Sequence, residues 1–351
     1  MKEECKQMIL KEVIDSQKDL KKLCADRLLR TNEIFQGNAF YGNDLILKIY
    51  AGLPKNYPLK VVMPHGAGLG DPNKIWVAER NAPLPVIFYY SEDYRNACIN
   101  NTLKFAMPSA YPFLYLLELL KGQPQPERQG TIFFPSHSTH HVTTHMNFEA
   151  LADELLQLDD KYHPITVCMY WRDYNLGHHL PFQERGLPVV SAGHIYDPHF
   201  LYRFYHLCSM HKYAASNSLG SQIFYSLKSG CSYFHLDSIK YTQSVDSDIN
   251  KDDIGVIPPD LERKCKSLFC KPQPYATAEQ LEFVDYYMGT RYLKTPKELR
   301  KQLLYAEFLD KMGFVICNRG YHKKLVVPPF FRPARYYLMA QKFREIFYNY
   351  H

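Results

Sequence analysis

The sequence predicts an α/β protein of two Rossmann-like, doubly wound domains facing each other across a cleft, with N- and C-terminal helices. Three observations predict it. Short apolar runs of strand length alternate with helical patterns. A polar linker at 122–130, with glycine at both ends and two prolines inside, interrupts the alternation, which then restarts. Polar clusters follow the predicted strands, where open sheets bind ligands. A length of 351 residues also exceeds what one core usually fills, so two domains are expected.

Residues 2–30 pattern as a helix, with Met8, Ile9, Val13, Ile14, Leu20, Leu23 and Leu28 roughly on one face. A Gly/Asn-rich turn over 37–44 leads to a short helix ending near Lys48. Strands are expected at Leu59–Met63 and Pro85–Tyr90, the latter running into Ser91-Glu92-Asp93, a helix N-cap followed by acids. A short helix at Phe113–Leu120 completes a first domain, residues 1–124. The second, residues 125–330, carries strands at Thr131–Phe134, Ile165–Tyr170, Val189–Val190, Tyr213–Ala215 and Ser232–Leu236. Its helices are expected at Phe148–Leu158, Leu201–Leu207 and Ser218–Lys228. Residues 240–260 read as an acidic loop, and the chain from Ala278 as mostly helical. A last helix, 331–351, is expected to pack back on the first domain; its Tyr, Phe and basic residues equally suit peripheral contact with the inner membrane surface.

Composition narrows the function. A hydrophobic share of 46% and a charged share of 22% exclude a disordered chain. The net charge of +6 is spread without a block of like charges, so no nucleic-acid partner is expected. Nine scattered cysteines without a CxxC read as reduced thiols of a cytoplasmic protein. No apolar run approaches the ~18–20 residues a membrane span requires. Walker A, G-x-G-x-x-G and G-x-S-x-G are missing, which counts against P-loop kinases, dehydrogenases and serine hydrolases.

The most informative stretch is Ser216-Asn217-Ser218-Leu219-Gly220-Ser221, between a strand and a helix. A small-residue turn opening a helix presents free N–H groups to an anion, and the hydroxyls and amide add donors. Other polar strand ends are His65-Gly66, Ser136-His137-Ser138, Trp171-Arg172-Asp173 and Gly193-His194. Their convergence points to an inter-domain site. His137, His140, His141 and His145 would make two i,i+4 metal-ligand pairs if helical, but no Cys or HExxH accompanies them, so no metal is expected. His178-His179 reads as an exposed turn.

The order of His65-Gly66, a second strand ending in Ser91, Phe134-Pro135-Ser136-His137, and the cradle at 216–221 resembles a GT-B glycosyltransferase of bacterial surface polysaccharide synthesis. Its layout over roughly 58–236 is similar to the CDP-glycerol glycerophosphotransferase type. Departures are the displaced His163-Pro164 and the absence of Thr-Asp-Tyr-Ser at the cradle, which leave the donor open. The resemblance implies His65 as general base, with Gly66 and Ser91 on the acceptor side. Ser136, His137, Ser138, Arg172, His194, Ser216, Asn217, Ser218, Gly220 and Ser221 would hold the donor. It further implies a nucleotide-sugar donor, a glycan or lipid-linked acceptor, no bound cofactor and no essential divalent metal. Alternatives are a CDP-alditol phosphotransferase, a non-catalytic glycan- or nucleotide-binding partner, and a sugar-nucleotide epimerase. The epimerase would need acidic residues in the cleft, and the candidate loops are poor in them.

Overall fold

A computed structural model describes residues 3–66, 69–71, 74–245 and 257–312, with the strands Val315–Arg319 and His322–Val326. In chain order the strands are β1 (Val61–Val62), β2 (Val86–Tyr89), β3 (Phe105–Pro108), β4 (Thr131–Phe134), β5 (Val142–His145), β6 (Ile165–Cys168), β7 (Val189–Val190), β8 (Tyr213–Ser216), β9 (Ser232–His235) and β10 (Thr242–Val245). β1, β2 and β3 form one parallel sheet in that order. A second parallel sheet runs β7-β6-β4-β8-β9. That order reverses direction between β4 and β8, the switch point at which doubly wound sheets open a crevice. β4 and β8 are buried at every position, as strands covered on both faces must be.

Sequence and structure agree closely in the second sheet and less so elsewhere. β3 was not expected, because Phe-Ala-Met-Pro carries little strand signal. The expected helix over 2–30 is instead a helix at Glu3–Ser16, a break, and one turn at Leu20–Leu23. Polar Ser16-Gln17-Lys18-Asp19 stops the first helix, and the Asp19 carboxylate accepts the Lys22 amide to cap the second. The helix expected from Ser218 begins at Ser221. The histidine-rich region is not helical: β-branched Val142, Thr143 and Thr144 pair antiparallel with β10, within the supposed loop 240–260. The expected helix 331–351, and its packing, lie outside the described residues.

Each sheet has its own unit of helices, and the chain passes between them more than once. Residues 3–30 lie on the second unit: Gln17 Nε2 donates to Ser191 O (2.7 Å), Asn175 Nδ2 to Cys24 O (2.8 Å), and Arg27 bridges to Asp197 (2.9 Å). Val13 and Leu23 are buried beneath this strap. Glu33 and Asn38 then anchor β1. Glu33 takes the Leu59 amide and pairs with buried Lys48 (2.6 Å), while Asn38 spans Val61 O and the Met63 amide. Residues 290–312 return to the first unit, where Lys294 and Gln302 both donate to Pro108 O (2.8 Å). The return pivots on Gly289 (φ +64°), whose Cβ would sit 2.7 Å from Tyr90 O. One apolar cluster, including Ile46, Phe113, Phe134, Tyr225 and Phe283, runs through both units.

Candidate functional site

The two sheets present their C-terminal ends to one cleft of about 670 Å³. Its first-unit wall holds Tyr41, His65 and Gly66; its second-unit wall holds Ser136, His137, Asn217, Ser218, Gly220 and Ser221. The two walls come close: a Cβ on Gly66 (φ +79°) would stand 3.6 Å from Ser221 Oγ. The turn that carries His65 therefore faces the start of the helix Ser221–Lys228.

That helix follows β8 across the switch point. Asn217 ties the loops after β4 and β8 together by accepting the Ser136 amide (2.7 Å). Ser216 is wholly buried, and its hydroxyl takes the Ser218 amide (3.0 Å) and Gln222 Nε2 (3.2 Å). Ser216 thus shapes the turn from beneath, while Ser218 and Ser221 line the cleft. Among the described residues, the amides of Leu219, Gly220 and Gln222 have no hydrogen-bond partner. Such orphan donors at a helix start favour an anion.

His65 is held by its backbone, whose N–H donates to buried Glu79 (2.7 Å). Its ring lies among Trp76 (4.7 Å), Phe40 and Tyr41 (both 5.7 Å). Removal from water by these aromatics pulls its pKa down to about 4, so the imidazole is neutral at pH 7. Tyr41 itself sits in the left-handed region (φ 60°), an uncommon conformation for a bulky residue. It is held there by its amide bond to Ile195 O (2.7 Å) and by Gly42, whose Cβ would meet Pro198 O at 2.0 Å.

Four expected site residues stand away from the cleft lining. Ser91 caps the helix Glu92–Asn101 by accepting the Tyr94 amide (3.3 Å). Ser138 is buried and donates to Asp173 through both N–H and hydroxyl (2.8 Å each), while accepting the Thr144 amide. Arg172 is half-buried, with an Nε that has no partner among the described residues. His194 is fully buried against Trp171 (4.0 Å).

Asp173, which the sequence placed in a polar strand end but to which it gave no role, is the hub of this region. Burial alone would push its carboxyl up. The hydrogen bond from His178, the charge of His137 and the two bonds from Ser138 outweigh that and hold it below the usual carboxylate range. His178-His179 is accordingly no exposed turn: His178 stacks on Phe148 (4.2 Å) and His179 on Tyr174 (4.0 Å). Sequence reasoning missed Asp237, Glu262 and Lys266, which line the cleft although they lie outside the loops expected to form it. Lys266 is near both carboxylates, 3.0 Å from Glu262 and 3.5 Å from Asp237.

Asp26, His140 and His194 bring ligand atoms within 4.8 Å of one another, a spacing that suits a metal. The protonation of His194 argues otherwise. Its Nδ1 accepts the Tyr196 amide (3.0 Å), so the single proton of the neutral ring is on Nε2, directed at Asp26 (3.2 Å). That nitrogen has no lone pair to offer, and Asp26 and His194 read as a hydrogen-bonded pair with the His140 ring beside them, its centroid 5.5 Å from that of His194.

Fold and site define an α/β protein of two parallel-sheet units with a cleft between the C-terminal ends of their strands. No protein-family model matches the chain, and no curated protein matches it. The solved UDP-GlcNAc 2-epimerase from Neisseria meningitidis, bound to UDP-GlcNAc, is similar over 67% of this chain, with 13% identity and a TM-score of 0.32. The similarity spans 65% of the epimerase chain, less than two thirds of it. At that level it carries no assignment of ligand or activity. No helix among the described residues is long and apolar enough to cross a membrane.

Proposed function

We propose that this protein is a GT-B-type glycosyltransferase. It moves a sugar from a nucleotide-activated donor to a glycan or lipid-linked acceptor in synthesis of a bacterial capsule or lipopolysaccharide, working at the cytoplasmic face of the membrane. The observation that carries the reading is the approach of Gly66 to Ser221, which sets a neutral histidine opposite a helix start.

In this reading the donor phosphates lie against the amides of Leu219, Gly220 and Gln222 and the hydroxyls of Ser218 and Ser221. Ser136, His137 and Asn217 shape the adjoining wall. The acceptor hydroxyl attacks the anomeric carbon and gives its proton to His65 Nδ1 or Nε2. The bond from that carbon to the donor phosphate oxygen breaks, and the nucleotide leaves with the electron pair. The helix start stabilises the charge that develops on it. Arg172 and His194 act behind the wall rather than on the donor, and Ser91 orders the acceptor-side helix. No divalent metal is required, so EDTA should leave turnover intact.

Thermal unfolding against CMP, CDP, UMP, UDP, GDP, dTDP and ADP tests the reading. A native-state ligand at a hundred times its Kd adds about 2.7 kcal/mol of stability. A shift with one of them names the donor family, and no shift with any of them overturns the reading. Consumption of a CDP-alditol instead of a sugar nucleotide would identify the phosphotransferase alternative.

An epimerase is the second reading, favoured by Asp237 and Glu262 in the cleft. It requires exchange of a sugar C–H with solvent deuterium, which a transferase does not catalyse.

A further inference from the structure

The end of β9 holds a buried histidine, His235. His235 is 7% exposed, lines the cleft, and has no hydrogen-bond partner for either ring nitrogen among the described residues. A buried imidazole with two unsatisfied nitrogens is costly unless a ligand meets it. Its position follows from the sheet register. His235 pairs with Ser216 across β8 and β9, and paired residues of parallel strands point to the same face. Ser216 is the residue whose hydroxyl shapes the turn into the helix Ser221–Lys228. His235 therefore lies on the face that carries the orphan amides, and both border one cavity.

The groups facing His235 come from three elements. From its own strand end, Asp237 lies 3.7 Å from Nε2, too far for a hydrogen bond. From β8 there is Ser216, and from the helix Pro259–Phe269 there is Lys266. Burial is the largest influence and favours the neutral ring; Asp237 and the backbone of Ser216 oppose it, and Lys266 adds to it. The cleft thus holds a neutral imidazole beside a lysine that is shared with two carboxylates.

We infer that His235 is an anion-binding residue, and that with Lys266 it forms the second pole of a diphosphate site whose first pole is the helix start at Ser221. One phosphate meets the amides of Leu219, Gly220 and Gln222; the next meets the imidazole, which takes up a proton as it binds. Two separated poles select a diphosphate over a monophosphate, so the ligand class is a nucleoside diphosphate or its sugar ester. This rests on the proposed function for the nucleoside part only; the anion site stands on the residues themselves.

Titration calorimetry on the full chain tests it, with inorganic pyrophosphate, inorganic phosphate, UDP, GDP, UMP and CMP as probes at pH 7.5. Measurement in buffers of different ionisation enthalpy counts the protons taken up. The expected result is binding of pyrophosphate and of one nucleoside diphosphate, each at least about tenfold tighter than its monophosphate counterpart. His235→Gln should weaken that binding about tenfold or more and remove the proton uptake. Lys266→Met, a change at a partly exposed position, should weaken it while retaining the uptake. Equal affinity and equal uptake in a folded H235Q protein would overturn the assignment while leaving nucleotide binding in place. If H235Q does not fold, K266M and the wild-type proton count decide: no uptake, or no loss in K266M, overturns it. Pyrophosphate binding without any nucleotide would uphold the anion site and remove the proposed function. Binding of no probe would remove both.

Discussion

Asp173 shows how much one buried carboxylate can organise. It receives Ser138 twice and His178 once, and so fixes the loop that carries Ser136 and His137 into the cleft. Asp173→Asn should cost about 2–4 kcal/mol, read by urea unfolding, because buried donors are left poorly paired. The folded carboxyl titrates below its unfolded value, so its contribution is present above about pH 4 and lost as pH falls through the lowered folded pKa. The acid limb of stability should flatten in the variant; an unchanged limb would show that Asp173 does not set it. At His65 the expectation is catalytic. His65→Ala should lower turnover by about 10²–10⁴ while nucleotide affinity stays unchanged. With a free-enzyme pKa of about 4, His65 should impose no inflection on kcat/KM between about pH 6 and 8.

At the scale of elements, legibility followed the strength of local signals. β4, β8 and β9 could be read because buried parallel strands are short apolar runs closed by polar turns. The cradle could be read for the same reason, since Ser, Asn and Gly after such a run mark a turn into a helix. The ribbon of β5 and β10 could not. Its strands are polar, and its partners, Val142–His145 and Thr242–Val245, are far apart in the chain. Asp237 and Glu262 were missed with it, because only the folded chain brings them to the cleft. Ser138 and Ser216 show the converse: the expected residue types are there, but their hydroxyls are consumed in holding loops. Ser221→Phe would fill the gap opposite Gly66 and should weaken nucleotide binding by at least about tenfold, with stability little changed. Retained affinity would move the phosphates away from this helix.

For the whole molecule, the sequence conveyed two units but not how the chain is shared between them. The break at Gln17–Asp19 turns the expected single helix into a strap over the second unit, and 290–312 belongs with the first. Neither is visible in local patterning, because an apolar face does not state which unit covers it. Gly289 is the test of the return path. Gly289→Ala must place a Cβ 2.7 Å from Tyr90 O and 2.8 Å from Ser109 O, at a φ that disfavours any side chain. A loss of more than about 2 kcal/mol is expected in thermal or urea unfolding, and a neutral result would refute this packing.

The core shared by the two units has a mechanical meaning. Behind the cleft, Tyr111 and Tyr225 join hydroxyl to hydroxyl at 2.8 Å inside close-packed apolar contacts. Packing of that density tolerates little rotation without opening voids. Hinging of the two halves would have to break this shared contact. The ribbon of β10 on β5 is exposed and, as an isolated two-stranded pair, weakly held; Gln243 of β10 and Tyr241 just before it both border the cavity. Little packing therefore holds that ribbon in place beside the cavity.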